Sequence, residues 1–208
     1  MDFKIEYQNE RDVEIPLLIN FIKSHKDILS VLDVGCARAF YLEYLKGLVD
    51  KLDGIDFEED ENAVCFLDHF FQGDFMGGNF EKYDLVSSVS VIEHYGVKQI
   101  PVENYQDKQV ELVKKIGRTS LKYIFLSFPY GQLTVAPGKF SIVDDVLLSM
   151  FGDVLDEFKP IPEFYFNNNP QAGKEWYQVE QAFADSQEYN ERLGVCCICV
   201  LKGVKKNV

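Results

Sequence analysis

Apolar positions along the chain form short continuous runs that alternate with stretches of helix-spaced apolar residues. Compact apolar runs, typical of strands buried on both faces, occur at residues 29–34, 52–57, 70–72, 83–88, 123–127, 163–166 and 195–201. Apolar residues recur at helical spacing in residues 15–24, 41–48, 104–116 and 141–150. The acidic residues 58–61 are predicted to begin a further helix. This alternation predicts an α/β fold: a Rossmann-like, doubly wound, mostly parallel sheet of seven strands with helices on both faces.

Composition narrows the class of protein. The 208 residues suit one domain, and 47% of them are hydrophobic, which is enough to build a buried core. The formal net charge is -13, so the field of the molecule repels polyanions and gains nothing from counterion release. We therefore expect no nucleic-acid partner, and a small-molecule substrate fits the charge better.

The chain shows no sign of export or membrane insertion. Residues 1–6 are polar and mixed in charge, unlike a signal peptide, and no run of about 18 apolar residues exists. Of five cysteines, Cys196, Cys197 and Cys199 share one predicted strand, too close together for a typical zinc site or a disulfide framework. These features predict a cytoplasmic protein without a membrane partner or metal site, either a monomer or a homodimer.

The strongest chemical signal is the turn after the first predicted strand. Residues 31–40 read VLDVGCARAF, an apolar strand that runs into a turn of small residues and then into a helix. Small residues let the backbone approach a ligand, and the first N–H groups of a helix are free to bind one. In open α/β sheets, ligands lie beyond the carboxyl ends of the strands. This turn therefore predicts a site for a nucleotide-like ligand.

Acidic residues end the next two predicted strands. Asp56 closes LDGID, 23 residues after Asp33, where a carboxylate can accept hydrogen bonds from ribose hydroxyls. Asp74 follows QG and precedes Phe75, so it can accept from an exocyclic amine while the ring flanks a base. The alternative is that Asp56 and Asp74 simply cap the helices that follow them.

In this order, the motifs resemble those of class I S-adenosylmethionine-dependent methyltransferases of the small-molecule branch. The resemblance rests on VLDVGC at 31–36, GID at 54–56, GD at 73–74 and YDLV at 83–86. Residues 83–94, YDLVSSVSVIEH, are similar to the family's strand-four segment, and residues 125–131, FLSFPYG, to its fifth strand. The resemblance implies S-adenosylmethionine as cofactor. It also implies a helical extension or lid at 1–28, a cofactor-binding core at 29–131 and a substrate-side half at 132–208.

The resemblance also implies roles for individual residues. Asp33 and Gly35 would lie near the methionine part of the cofactor, Asp56 would hold its ribose, and His94 would face the substrate. The full set of implied cofactor-binding residues is Asp33, Gly35, Cys36, Ala37, Asp56, Phe57, Asp74, Phe75, Ser88 and Ser90.

His94 and Glu93 are the predicted catalytic residues. Methyl transfer from a sulfonium is an in-line displacement, and a hydroxyl nucleophile must also lose its proton. A histidine, with an ordinary pKa of about 6.5, can remove that proton near neutral pH. His94 therefore favours O-methylation, although it can equally be a structural histidine at a helix start. Glu93 either orients His94 or forms a salt bridge elsewhere.

The first turn departs from the family pattern at two positions. Ala37 and Ala39 stand where the family usually has its second and third glycines. Alanine at position 37 adds a methyl group beside the cofactor and penalises a positive φ. This supports an alternative, a catalytically inactive binding or scaffold protein with the same fold. A dinucleotide oxidoreductase is disfavoured, because its fingerprint needs glycines at Ala37 and Phe40.

Overall fold

The computed structural model describes residues 10–97, 104–132, 134–136, 139–167, 176–188 and 197–206. The helices are α1 (Arg11–Ser24), α2 (Leu42–Lys46), α3 (Glu61–Val64), α4 (Tyr105–Thr119), α5 (Asp145–Val154) and α6 (Gln181–Asp185), with a 3-10 turn at Ile92–His94. The strands are β1 (Ser30–Val34), β2 (Lys51–Asp56), β3 (His69–Gln72), β4 (Tyr83–Val89), β5 (Ser120–Pro129), β6 (Val135–Ala136), β7 (Phe140–Ser141), β8 (Phe158–Phe166), β9 (Tyr177–Val179) and β10 (Cys197–Lys205). Residues 195 and 196 of the last predicted strand lie outside the described residues.

The main sheet has eight strands in the order β3-β2-β1-β4-β5-β10-β8-β9. Strands β1 to β5 pair in parallel, while β10 runs antiparallel between β5 and β8. The α/β class, the mostly parallel sheet and the flanking helices are thus confirmed. The predicted number of seven strands is wrong, because β9 pairs with the end of β8. Strand β9 has only three residues, too few to show a recognisable strand period in the sequence.

Apolar side chains from alternate strand positions fill two cores, one on each face of the sheet. Leu32, Leu126 and Phe128 join the core beneath α4 and α5. Val31 and Phe125 point to the opposite face and pack with α1 and α2. Because successive residues of a strand point to opposite faces, burial on both sides explains the continuous apolar runs in the sequence.

Helix α1 lies within the region predicted as an extension or lid. It begins at Arg11, four residues before the predicted start, because its first turn is mostly polar and carries no apolar period. Ile15, Leu18 and Ile22 are almost fully buried in the core of that face. Among the described residues, no helix is long and apolar enough to cross a bilayer.

The sheet reverses its strand order between β1 and β4. From β1 the chain builds outward through β2 and β3, and then returns to add β4 and β5 on the other side. At the amino end of this pair, Asp84 accepts hydrogen bonds from the backbone N–H groups of Leu29 (2.9 Å) and Ser30 (3.1 Å). The crevice at the opposite, carboxyl end is where open α/β sheets bind ligands.

Candidate functional site

Gly35 sets the shape of the turn after β1. Its φ is 86°, and a Cβ built on it would lie 2.2 Å from Cγ2 of Val91, in the segment after β4. In this turn, Gly35 and Arg38 have a positive φ, whereas Ala37 and Ala39 do not. The penalty expected from a positive φ at position 37 is therefore not incurred, because the Ala37 backbone lies outside the left-handed region.

A cavity of about 510 Å³ opens beyond the carboxyl ends of β1 and β2, next to this turn. The structure brings predicted site residues from four separate segments of the chain into its wall. These residues are Gly35, Ala37, Asp56, Phe57, Asp74, Phe75 and His94. The sequence motifs and the family resemblance therefore identified seven of the sixteen residues that line the cavity.

The Asp56 carboxylate joins the ends of β1 and β2. Its Oδ2 accepts from the N–H of Ala37 at 2.9 Å, and its Oδ1 accepts from the N–H of Glu58 at 3.0 Å. Helix α3 is instead capped by Asp60, so Asp56 is not a helix cap. A carboxylate offers about four lone-pair positions, which leaves Asp56 able to accept from a ligand hydroxyl in the cavity.

Asp74 stands where β3 leads into the next turn. Its Oδ1 accepts from the N–H of Met76 at 2.9 Å, and the hydroxyl of Tyr95 lies 3.5 Å from the same oxygen. No helix follows Asp74 directly, so this acid holds a turn rather than capping a helix. Tyr95 also lines the cavity. Its contact with Asp74 connects the segment after β4 to the end of β3.

Phe75 is fixed between an aromatic ring and a lysine. Its ring stacks on Phe80 at a centroid distance of 5.1 Å, and only 4% of its surface is exposed. The Lys115 ammonium lies 5.0 Å from the Phe75 centroid and donates to the carbonyls of Phe75, Met76 and Gly78 at 2.5, 2.9 and 2.6 Å. Lys115 therefore fastens the loop after β3 to helix α4.

Five predicted site residues do not line the cavity. Asp33, Cys36, Ser88, Ser90 and Glu93 are buried behind its wall. Asp33 is fully buried and accepts from the hydroxyls of Ser87 (2.6 Å) and Tyr41 (2.8 Å). Burial raises the pKa of Asp33 to about 6, although these two hydrogen bonds oppose the shift.

Ser90 connects the strand-four segment to the first helix. It has a φ of 50°, and its hydroxyl donates to Oε1 of Glu14 at 2.7 Å. The other oxygen of the fully buried Glu14 lies 2.7 Å from Nη1 of Arg11, which lines the cavity. Arg11 and Glu14 are not predicted from the sequence, because nothing in their local pattern indicates that α1 reaches the site.

His94 closes the 3-10 turn after β4, with 40% of its side chain exposed. Its Nδ1 lies 2.6 Å from the carbonyl oxygen of Lys139. Because a carbonyl only accepts, Nδ1 carries the proton in this contact, and the neutral ring keeps its lone pair on Nε2. The geometry therefore selects the tautomer in which Nε2 can act as a base.

Glu93 points away from solvent, with 3% of its surface exposed. Burial raises the pKa of this carboxyl well above its usual range, and Glu14 raises it further. Its Oε1 lies 3.9 Å from Nε2 of His94, too far for a hydrogen bond, and its Oε2 has no hydrogen-bond partner in the described part of the chain. Glu93 is thus a buried carboxyl beside His94, in a place where burial favours its protonated form.

A larger groove, of about 730 Å³, runs along the edge strands β8 and β9. None of the predicted site residues lines it, and its wall includes Glu163, Gln178 and Phe183. The smaller cavity beside Gly35 is the candidate site, because the predicted motifs meet there.

The strand order, the order reversal at β1 and the cavity beside it match a known fold. They constitute the fold of class I S-adenosylmethionine-dependent methyltransferases, so the predicted resemblance is confirmed for the fold. No protein-family model matches the sequence, and a search of curated proteins gives no significant match.

Solved structures supply the particular proteins that this chain is similar to. Magnesium protoporphyrin IX methyltransferase (ChlM) from Synechocystis, with bound SAM, has a TM-score of 0.59 and 14% identity over 99% of this chain and 87% of its own. N-methyltransferase NodS from Bradyrhizobium japonicum, with S-adenosyl-l-homocysteine, has a TM-score of 0.59 and 9% identity over 96% and 89%. The 1,6-didemethyltoxoflavin-N1-methyltransferase of Burkholderia thailandensis has a TM-score of 0.59 and 12% identity over 94% and 79%. At these identities the likeness is one of fold.

Proposed function

We propose that this protein is an S-adenosylmethionine-dependent methyltransferase that acts on a small molecule. One observation carries the proposal: the Gly35 turn and the Asp56 carboxylate face a common cavity at the order reversal of this fold. Similar structures of the same fold hold SAM or S-adenosylhomocysteine.

The acids along the cavity match the parts of an adenosyl cofactor. Asp56, at the end of β2, would accept from the ribose hydroxyls. Asp74, at the end of β3, would accept from the adenine amine, with Phe75 beside the ring. Asp33, Cys36, Ser88 and Ser90 would act indirectly, because they shape the cavity wall from behind.

His94 would serve as general base in O-methylation. Bound S-adenosylmethionine would supply an electrophilic methyl group whose thioether leaves, and Nε2 of His94 would take the proton that the acceptor hydroxyl loses. The carbonyl of Lys139 holds the ring in the tautomer that this step needs. Glu93, which is 3% exposed, would exclude water beside the ring.

Calorimetry with SAM and S-adenosylhomocysteine tests cofactor binding. We expect saturable heat with both ligands, and about 10- to 100-fold weaker binding for Asp56→Asn, which loses charge-assisted hydrogen bonds. Asp60→Asn is the matched control and should bind normally, because asparagine also caps helices. Absence of binding by the folded wild-type protein would favour the scaffold alternative.

Release of S-adenosylhomocysteine from SAM, measured across a panel of hydroxylated and amino acceptors, tests the reaction. We expect turnover with a hydroxylated acceptor, reduced about 10²- to 10⁴-fold in His94→Gln with cofactor affinity unchanged. Full turnover by His94→Gln would show that His94 is not the base.

A further inference from the structure

A further cavity, the α4 cleft, lies between helix α4 and the loop after β3, with walls from residues 76–82 and 111–119. It has a volume of about 430 Å³, and none of the residues that line it also lines the cavity beside Gly35. Asp74 and Phe75 of the loop line that first cavity, whereas Met76 and Phe80 line the cleft. The loop therefore separates two distinct sites.

The charge of the α4 cleft is opposite to that of the whole protein. The chain has 34 acidic and 21 basic residues, yet the cations Lys82, Lys115 and Arg118 line the cleft against a single acid, Glu111. Salt screens charges that lie more than about 8 Å away at physiological ionic strength, so the charges in the wall determine the potential inside the cleft. The cleft is therefore a local site for an anion on an acidic protein.

The acids nearest to these cations in the wall or in the chain are paired with other lysines. Oε1 of Glu111 lies 3.3 Å from Nζ of Lys114, which does not line the cleft. Glu81, next to Lys82 in the chain, pairs with Lys51 on β2. The cations in the wall thus keep their charge for a ligand.

Arg118 and Lys82 are both exposed, and neither forms an ion pair within the part of the chain that the structure describes. Lys205 and, more weakly, Lys82 lower the pKa of Glu157, but this carboxylate lies 2.7 Å from Lys205 and outside the cleft wall. Both Arg118 and Lys82 can therefore donate hydrogen bonds to a ligand in the cleft.

Lys115 contributes charge rather than a hydrogen bond. Its ammonium donates to the carbonyls of Phe75, Met76 and Gly78, which uses its three donors. Because carbonyl groups carry no net charge, the positive charge of Lys115 still attracts an anion.

The position of Arg118 has a structural explanation that does not extend to Lys82. Arg118 lies in the last turn of α4, where a cation complements the helix dipole. Lys82 comes from the other wall, just before β4, and has no such role. The helix end itself carries a partial negative charge of about half an elementary charge, which is less than the charge of the cations beside it.

We infer that the α4 cleft binds an organic phosphate, with Arg118 and Lys82 on the phosphate group and Met76 and Phe80 against the organic part. A phosphate monoester carries up to about two negative charges and three acceptor oxygens, which suits donors from two separate walls. The cleft volume of about 430 Å³ is many times the ~30 Å³ of a water molecule, so it has room for more than the phosphate group. This site goes beyond the proposed function and does not depend on the cofactor.

The test titrates the full-length, uniformly ¹⁵N-labelled protein with phenyl phosphate at constant ionic strength and pH, and follows the backbone amides by NMR. We expect saturable shifts grouped at Gly78, Asn79 and Arg118. Inorganic phosphate should bind at the same place about 10-fold more weakly, because it lacks the ring that contacts Met76 and Phe80.

Substitutions in each wall test the role of the cations. Arg118→Gln and Lys82→Gln should each weaken the binding of phenyl phosphate about 10-fold, through the loss of a charge-assisted hydrogen bond. Both side chains are exposed, so both variants should fold, and their spectra report this directly. Lys159→Gln is the matched control: it removes the same charge from an exposed lysine that lines neither cavity, and it should bind normally.

Four results would overturn the inference. Shifts that do not saturate would show that the cleft is not a site, and shifts centred on Gly35 and Asp56 would place the phosphate in the other cavity. An equal loss in Lys159→Gln would assign the effect to general charge. Equal affinity for inorganic phosphate would refute the contact with an organic group. Because SAM is absent from the titration, failure of the proposed function leaves this test unaffected.

Discussion

Two separate constraints favour glycine at position 35, and only the structure distinguishes them. As a sequence feature, it permits a ligand to approach the backbone. In the folded protein it also has a positive φ, and Val91 occupies the space where a side chain would be. The glycine is therefore required by the packing of the protein against itself, whether or not a ligand is bound.

Gly35→Ala is expected to lower the free energy of unfolding by more than about 2 kcal/mol, through the clash with Val91 and the unfavourable φ. Urea denaturation measures this change. Gly152→Ala is the control: it lies in α5 with no atom within 4 Å of the added Cβ, so its stability should stay equal or rise by up to about 1 kcal/mol. Equal midpoints for Gly35→Ala and wild type would contradict the packing argument.

Asp33 makes stability depend on pH. Its pKa is raised to about 6 in the folded protein, against about 4 in an unfolded chain. Between these values the folded state binds more protons than the unfolded state, so the stability from this group is complete below about pH 4 and is lost as the pH rises through 6.

Asp33→Asn should remove this dependence, because an amide does not titrate and the hydroxyls of Ser87 and Tyr41 can rotate to pair with it. We expect the free energy of unfolding of wild type to fall by on the order of 2 kcal/mol more than that of the variant between pH 4 and 7. Urea denaturation at a series of pH values measures the difference. Parallel pH profiles would show that Asp33 titrates normally.

At the level of elements, one lysine on α4 determines where the loop after β3 lies. Lys115 donates to three carbonyls of that loop and sits over the rings of Phe75 and Phe80. Desolvation lowers its pKa, and the carbonyl dipoles and ring faces replace the lost water.

Lys115→Met keeps the length of the side chain but removes all three hydrogen bonds. We expect a loss of about 1–3 kcal/mol in unfolding free energy and faster amide hydrogen exchange in the loop. Lys114→Met is the neighbouring control, since Lys114 pairs with Glu111 at the surface and should contribute less than about 0.5 kcal/mol. If the two variants behave alike, the carbonyl contacts do not stabilise the loop.

Strand β8 shows why element boundaries escaped prediction. The apolar pattern predicted residues 163–166, but the strand begins at Phe158 and contains Pro160 and Pro162. Prolines argue against a strand, because each lacks a donor. Among the described residues, β9 pairs only with Phe164–Phe166, so the first half of β8 has an edge there on which missing donors are tolerated.

At the scale of the whole molecule, α1 is part of the core rather than an attachment to it. Ile15, Leu18 and Ile22 pack against strand residues on the same face of the sheet as α2. The same helix places Arg11 in the cavity wall and the fully buried Glu14 behind it. The stability of the core and the wall of the cavity therefore both depend on α1.

Leu18→Ala should cost about 2–5 kcal/mol, because it removes a fully buried side chain and leaves a cavity between α1 and the sheet. Chemical denaturation gives the value. Leu29→Ala, at a position that is 51% exposed, should change stability by less than about 0.5 kcal/mol. A similarly small effect for Leu18→Ala would mean that α1 is not part of the cooperative core.

The sequence alone determined the alternation of strands and helices, the turn at Gly35 and the acids at Asp56 and Asp74. These features depend on residues close together in the chain, where spacing reports local geometry directly. Tertiary structure alone decided that Asp33 is enclosed behind the wall, that β9 extends the sheet and that Glu14 bonds to Ser90, 76 residues away. Such contacts arise when distant elements pack together, and no local pattern specifies which partner each will meet.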